Sequence, residues 1–307
     1  MKKLYIYIAI FILGQQLFAQ SNVRVSNFWK NPQFLNPATV YDKYVAVFSM
    51  SARKQWLGFP GAPITFFASG TTYIDNLHAQ LGFIVMQDKI GYTSTSNISI
   101  SYAYAMSFEK SWQLHLGLRG NYQIVGYDPS KINVETEDDI EIYQKLMSDD
   151  AFNAGVGAEL TNISMRIGVA SQNIFALFGA NRPLQVNTNF LYGRYRQLSR
   201  NLISFGFGVC GIQYAKIYQM EFNSTAYFKF KNNNGLTEKP DLFDVGLFYR
   251  TRSEIGFVLG YEIANNLHLS YSYDYHLGDI RRSSIGTNEI MITYNLNKKS
   301  VCRNCWY

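Results

Sequence analysis

The sequence predicts an all-β fold, a transmembrane antiparallel β-barrel of about 14 strands. Three observations carry that prediction. Apolar and polar residues alternate with a period of two over long stretches, the signature of strands with one greasy and one wet face. The 307 residues are only 16% charged but 16% aromatic, with 23 Tyr and 22 Phe. Ordinary globular chains carry about 25% charged residues, and disordered chains lack aromatics, so neither class fits. The chain also opens like an exported protein.

That opening has a basic start, Met1-Lys2-Lys3, an apolar stretch from Leu4 to Leu13, and a polar exit through Gln15 and Gln16 to Ala19. Residues 1–19 therefore read as a signal peptide, with the mature chain starting at Gln20 or Ser21. The apolar stretch is too short to span a bilayer as a helix, and no later run approaches the roughly 18 residues that would. A helical membrane protein is excluded. No Cys follows the cut, which argues against a lipid-anchored N-terminus. Removing Lys2 and Lys3 from the 28 basic residues leaves 26 against 22 acidic, a balance too small and dispersed for a nucleic-acid partner. Residues 20–43 carry no sustained alternation and read as an N-terminal periplasmic segment.

From residue 44 the alternation template gives strands at 44–54, 63–74, 79–88, 94–107 and 113–127. In the fifth, Leu114, Leu116, Leu118, Tyr122 and Ile124 interleave with His115, Gly117, Arg119, Asn121 and Gln123. The template continues at 151–161, 164–174, 184–197, 202–213 and 217–231, the last setting Met220, Phe222 and Phe228 against Gln219, Glu221 and Lys229. It ends at 242–251, 253–263, 267–276 and 288–296. Most of these runs are near the nine to eleven residues that a tilted strand needs to cross a bilayer, and an even count suits a bacterial barrel. Asn76, Asn162 and Asn265-Asn266 supply turn residues between them. If both barrel ends face the periplasm, connections after odd strands point outward and should be the long ones. Residues 128–150, 175–183 and 277–287 obey that parity; 231–241, after the tenth strand, is the exception. Tyrosine then has a physical role, its amphipathic ring suiting the headgroup boundary. The barrel spans 44–296, and 297–307 form a periplasmic C-terminal tail.

Several local patterns, in order and spacing, resemble the PorP/SprF family of type IX secretion outer-membrane proteins. They are Asn36-Pro37-Ala38; Arg53-Lys54-Gln55-Trp56 followed by Gly61-Ala62-Pro63-Ile64-Thr65; Gly82 to Asp88 with Gly91; Tyr102-Ala103-Tyr104; Tyr271-Ser272-Tyr273-Asp274-Tyr275; and Gly286 to Met291. The resemblance runs from Asn31 to Tyr307. It implies location in the outer membrane of gliding, Gram-negative bacteria. It also implies a non-enzymatic component of type IX secretion that supports export or surface attachment of a specific secreted adhesin. Its partners would be membrane lipid, the secretion machinery and the cargo protein or its C-terminal domain, with no cofactor. The other function class consistent with a barrel is a passive channel or small-molecule transporter, closed if Arg119, Glu221, Lys229, Asp274 and Glu289 pair across the lumen.

Partner-binding candidates are Asn36, Pro37, Arg53, Gln55, Trp56 and Pro63. The last four fall at the first strand's end and in a Gly- and Pro-rich loop that either presents a surface or packs the rim. Glu137, Asp138 and Asp139 lie in the longest outer loop, without the spacing of a calcium loop. Arg281 and Arg282 lie in the last outer loop, and Cys302, Cys305 and Trp306 in the tail. The C-x-x-C pair, without a second pair or a nearby His, is a weak zinc signal, and in an oxidising compartment a local disulfide suits it at least as well, so its state stays open. His268, Ser270, Ser272, Asp274 and His276 share one strand face and superficially suggest a hydrolase. Residues two apart on a strand are about 7 Å from each other, too far for a nucleophile and its base, and a barrel lumen produces polar rows by default.

Overall fold

A computed structural model describes residues 25–108, 111–128, 150–178, 186–198, 201–215, 217–229, 241–251, 254–264 and 266–298. The tail residues Cys302, Cys305 and Trp306 and the acidic Glu137, Asp138 and Asp139 lie outside them.

The fold is the predicted barrel, with 14 strands in one closed antiparallel sheet. The first seven are β1 (Tyr44–Lys54), β2 (Ile64–Ile74), β3 (Ala79–Ile90), β4 (Thr93–Phe108), β5 (Trp112–Tyr127), β6 (Ala151–Thr161) and β7 (Met165–Gln172). The others are β8 (Thr188–Arg196), β9 (Ile203–Tyr214), β10 (Ile217–Lys229), β11 (Asp241–Arg250), β12 (Glu254–Ala264), β13 (Leu267–His276) and β14 (Thr287–Asn297). Each strand pairs with its sequence neighbours, and β1 closes the ring on β14 with Ser51 opposite Met291. Closure leaves no strand edge, which is what permits strands to cross lipid. No described helix is long and apolar enough to cross a membrane.

Strand direction follows the alternation. On β5, Leu116, Leu118, Tyr122 and Ile124 are exposed on the outer wall, whereas His115, Arg119, Asn121 and Gln123 are buried inside. β10 pairs directly with β11, and Phe228 stacks on Phe243 at 4.2 Å between ring centroids. Among the described residues no strand stands between β10 and β11 at the parity exception.

The main departure from expectation is at the N-terminal end of the described chain. Residues 25–43, expected on the periplasmic side, run through the barrel lumen. They form short 3-10 turns at Ser26–Trp29 and Pro32–Phe34, and nearly all of their side chains from Val25 to Val40 are buried. Phe28, Trp29 and Leu35 pack with the inward-facing Ala170, Phe190, Tyr192 and Cys210; Val40 packs with Ala103 and Ala105. Burial of each large apolar side chain contributes about 1.5–3 kcal/mol. Short irregular backbone is tolerated here because the lumen supplies polar partners for it.

Candidate functional site

The lumen is a clamp built around this plug. Near the outer end of the barrel, Glu289 at the start of β14 accepts from the Ser26 backbone N–H at 2.7 Å. It also accepts from the backbone N–H and side-chain amide of Asn27 at 3.2 and 3.0 Å. Ser26 Oγ donates to Asp274 Oδ2 at 2.6 Å, and the Asn27 amide reaches Ser272 Oγ. Arg53 binds this acid cluster, at 2.9 Å to Asp274 and 3.1 Å to Glu289, and also donates to Ser26 Oγ. One turn on, Trp29 Nε1 donates to Glu221 at 2.6 Å, and Glu221 is held by Arg250 at 2.7 Å. Lys30 meets Asp244 at 2.5 Å, and Arg194 donates to the Trp29 carbonyl at 2.6 Å.

Deeper in the barrel, Asn31 donates to Ser69 at 2.8 Å and Gln172 donates to the carbonyls of Phe34 and Leu35, both at 2.9 Å. Thr39 Oγ1 donates to Glu159, and Gln80 spans the Thr39 carbonyl and the Tyr41 N–H. The Tyr41 hydroxyl donates to Asn31 Oδ1 at 3.1 Å. The segment thus runs from the outer ends of β13 and β14 down to the opposite end of β3, and its buried amides find acceptors along the way.

Glycine shapes the seat. Gly117 on β5 lies directly opposite Gly157 on β6, making a dent in the wall. A Cβ on Gly117 would stand 2.3 Å from the Ala38 backbone N, and one on Gly157 would stand 1.9 Å from Asn36 Oδ1. Asn36-Pro37-Ala38 lies in this dent. The Asn36 side chain accepts from the Ala38 N–H at 2.9 Å and donates to the Ala158 carbonyl at 3.0 Å. In a strand, such a glycine marks a close approach of another backbone. Gly117→Val should expel the plug: trypsin, expected to spare Lys30 in the intact barrel, should then cut there, as read by N-terminal sequencing of the fragments.

The structure separates the sequence-predicted residues into two groups. Asn36, Pro37 and Arg53 are buried in the lumen clamp, and Pro63 is buried just before β2 at the outer rim, where its carbonyl accepts from the Gln55 N–H at 2.9 Å. Gln55, Trp56, Arg281 and Arg282 come together at the outer rim. There the β1–β2 loop pairs with the β13–β14 loop: Leu57 N–H donates to the Gly286 carbonyl, and Ile285 N–H donates to the Leu57 carbonyl, both at 2.8 Å. Trp56 stacks edge-on to Phe59, while Phe59, Ile285, Arg281 and Arg282 are exposed. The clamp also uses Arg250, Glu254 and Glu159, which the sequence reading did not single out. All three lie on polar-inward positions of their strands, the one signal that could have found them.

Between the plug and the outer loops lies a cavity of about 640 Å³, bounded by Val25 and Phe34 below and by Phe59 and Tyr92 above. Among the described residues no cluster of three or more metal-ligating side chains occurs.

A closed barrel with an apolar outer wall and a polar, self-filled interior is an outer-membrane protein. Omp33, an outer membrane protein of Acinetobacter baumannii, shares the fold with a TM-score of 0.50 at 10% identity, over 82% of this chain and 98% of that one. A deltaS2S3 mutant of the TodX monoaromatic hydrocarbon channel does so with a TM-score of 0.53 at 9% identity, over 86% and 94%. No curated protein matches the chain. The family described as type IX secretion system membrane protein PorP/SprF matches residues 17–294, and the chain belongs to that family.

Proposed function

We propose that this protein is a non-catalytic component of type IX secretion that holds a specific secreted cargo, through the cargo's C-terminal domain, on its outer loops. The observation that carries the reading is the self-filled lumen. A barrel whose interior is occupied by its own chain has its loop ends as working surfaces. The rim at Trp56, Phe59 and Ile285, apolar and flanked by Arg281 and Arg282, has the aromatic and arginine character of binding hot spots. The periplasmic turns and the tail, with Cys302, Cys305 and Trp306, are left for the secretion machinery.

The plug weighs against a passive channel, because a solute would have to displace a segment bonded to strands around the ring. The histidines weigh against an enzyme. His276 faces Glu254 at 3.3 Å and Thr287 at 3.2 Å, and His268 faces Glu262 and Asp244 at 3.1 and 3.5 Å. His276 joins the Thr287 hydroxyl to Glu254, the order of nucleophile, base and acid, but all three are at most 4% exposed, so the hydroxyl is closed off from a substrate.

Deleting the gene should abolish surface display of one cargo while general type IX export continues; unchanged display of every adhesin would overturn the reading. Combining Phe59→Ala with Arg281→Glu and Arg282→Glu should lower display of that cargo about tenfold or more, since loss of hot-spot contacts is worth at least that factor. The barrel's heat-modifiable migration on gels should not change.

A further inference from the structure

The cavity above the plug holds a cation with no counter-ion. Arg119 on β5 is only 8% exposed and lines that cavity. Its two terminal nitrogens donate to the carbonyls of Phe34 and Gln33, whereas its Nε has no partner. Among the described residues no carboxylate lies within ion-pair distance of it. The other buried arginines of the barrel are different: Arg53 has Asp274 and Glu289, and Arg250 has Glu221 and Glu254; the half-buried Arg166 has Glu159. An ionised group taken out of water is costly unless an opposite charge meets it. The other charged groups lining the cavity do not supply that charge. Glu221 and Arg250 offset each other. Asp88 is held by Thr65 at 2.5 Å, six residues toward the loop end of β3 from Gly82, the register neighbour of Ser101 and so of Arg119. That is roughly 20 Å along the sheet.

Around this cation the floor is apolar, formed by Val25, Phe34, Leu35, Ile84, Phe190 and Ile212, and the walls are neutral and polar, with Asn121, Gln123 and Thr188. The volume, about 640 Å³, falls within the range of roughly 300–1,000 Å³ typical of small-ligand sites. We propose that this vestibule binds a carboxylate carried on an apolar body, entering from the loop end. The carboxylate pairs with the cavity-facing side of the Arg119 guanidinium, which has more N–H groups than the two plug carbonyls take up, and the body covers the apolar floor. The same chemistry is offered by a free aryl or alkyl carboxylic acid and by a peptide ending in an apolar residue with a free α-carboxylate. The site lies below the rim surface proposed to hold cargo and shares Phe59 with it, but its chemistry, set by Arg119 and the apolar floor, does not depend on that assignment.

The test is titration calorimetry of the full-length barrel in zwitterionic nanodiscs, with hydrocinnamate and its amide as one pair of probes. The tripeptide Gly-Gly-Phe, as free acid and as C-terminal amide, is the other. At least one of the acids should bind saturably at one site, and its amide about tenfold more weakly or worse, since a charge-assisted hydrogen bond is lost. Which acid binds identifies the source. Arg119→Gln should erase the preference for acid over amide. Because Arg119 also holds plug carbonyls, Ile84→Trp provides a variant that leaves that arginine in place; it fills the floor and should abolish binding of either acid. Equal binding of acid and amide, no saturable binding of either acid, or unchanged binding in Ile84→Trp would overturn the proposal.

Discussion

Deleting residues 26–40 should make the outer membrane of expressing cells leaky to hydrophilic antibiotics that the intact barrel excludes. The lumen is closed by this segment and not by pairing across the empty barrel. Arg119 donates to the plug carbonyls of Phe34 and Gln33, Glu289 accepts from Ser26 and Asn27, and Glu221 accepts from Trp29. Eight-stranded barrels are narrow enough for side chains to fill, whereas barrels of 16–18 strands leave an aqueous channel. At 14 strands, the interior here is wide enough to admit a chain in 3-10 turns with its side chains. Without that chain, the inward row of polar and charged residues would line a water-filled path. The expected result is a marked fall in inhibitory antibiotic concentration for the deletion strain, at equal amounts of folded barrel. Unchanged resistance would mean that the outer loops, and not the plug, make the seal.

The second large effect is on Arg53. Its side chain is 2% exposed, and its two acid partners, Asp274 and Glu289, are fully buried. Replacing it with Met leaves two carboxylates without their cation, a class of change that costs about 3–5 kcal/mol. Arg53→Met should therefore lower the temperature at which the folded, fast-migrating band is lost on gels and should expose Lys30 to trypsin. Combining it with Asp274→Asn and Glu289→Gln removes the charges on both sides and should restore much of the loss, because a neutral cluster has no ion left to compensate. If Arg53→Met alone were as stable as the parent, the clamp would not hold the plug.

Much of the fold was legible in the sequence because lipid on one side and water or polar protein on the other impose a period of two. The rows His115 to Gln123 and His268 to His276 were read as inward-facing, and so they are: His115 is 1% exposed and His276 2%. The plug was not legible. A segment without regular structure has no period, and its partners come from strands far apart in sequence: Ser26 and Glu289 are 263 residues apart. Its signature was present only as interruptions. Gly82, Gly117, Gly157 and Gly208 fall at strand positions where plug atoms would collide with a Cβ. The sequence groups Arg53, at the end of the first strand, with Gln55 and Trp56 as one rim set, yet strand parity turns Arg53 inside and the others lie beyond the strand's end. The segments that carry the family resemblance thus divide. Asn36-Pro37-Ala38, Arg53, Asp274 and Glu289 build the clamp, and Trp56 and Gly286 build the outer rim.

Electrical recording from the purified full-length protein in planar bilayers decides whether this barrel is sealed by its own chain. The protein should be silent across a range of voltages and salt concentrations, and the variant lacking residues 26–40 should give stable ohmic currents. Stable, solute-dependent conductance from the full-length protein would contradict that seal.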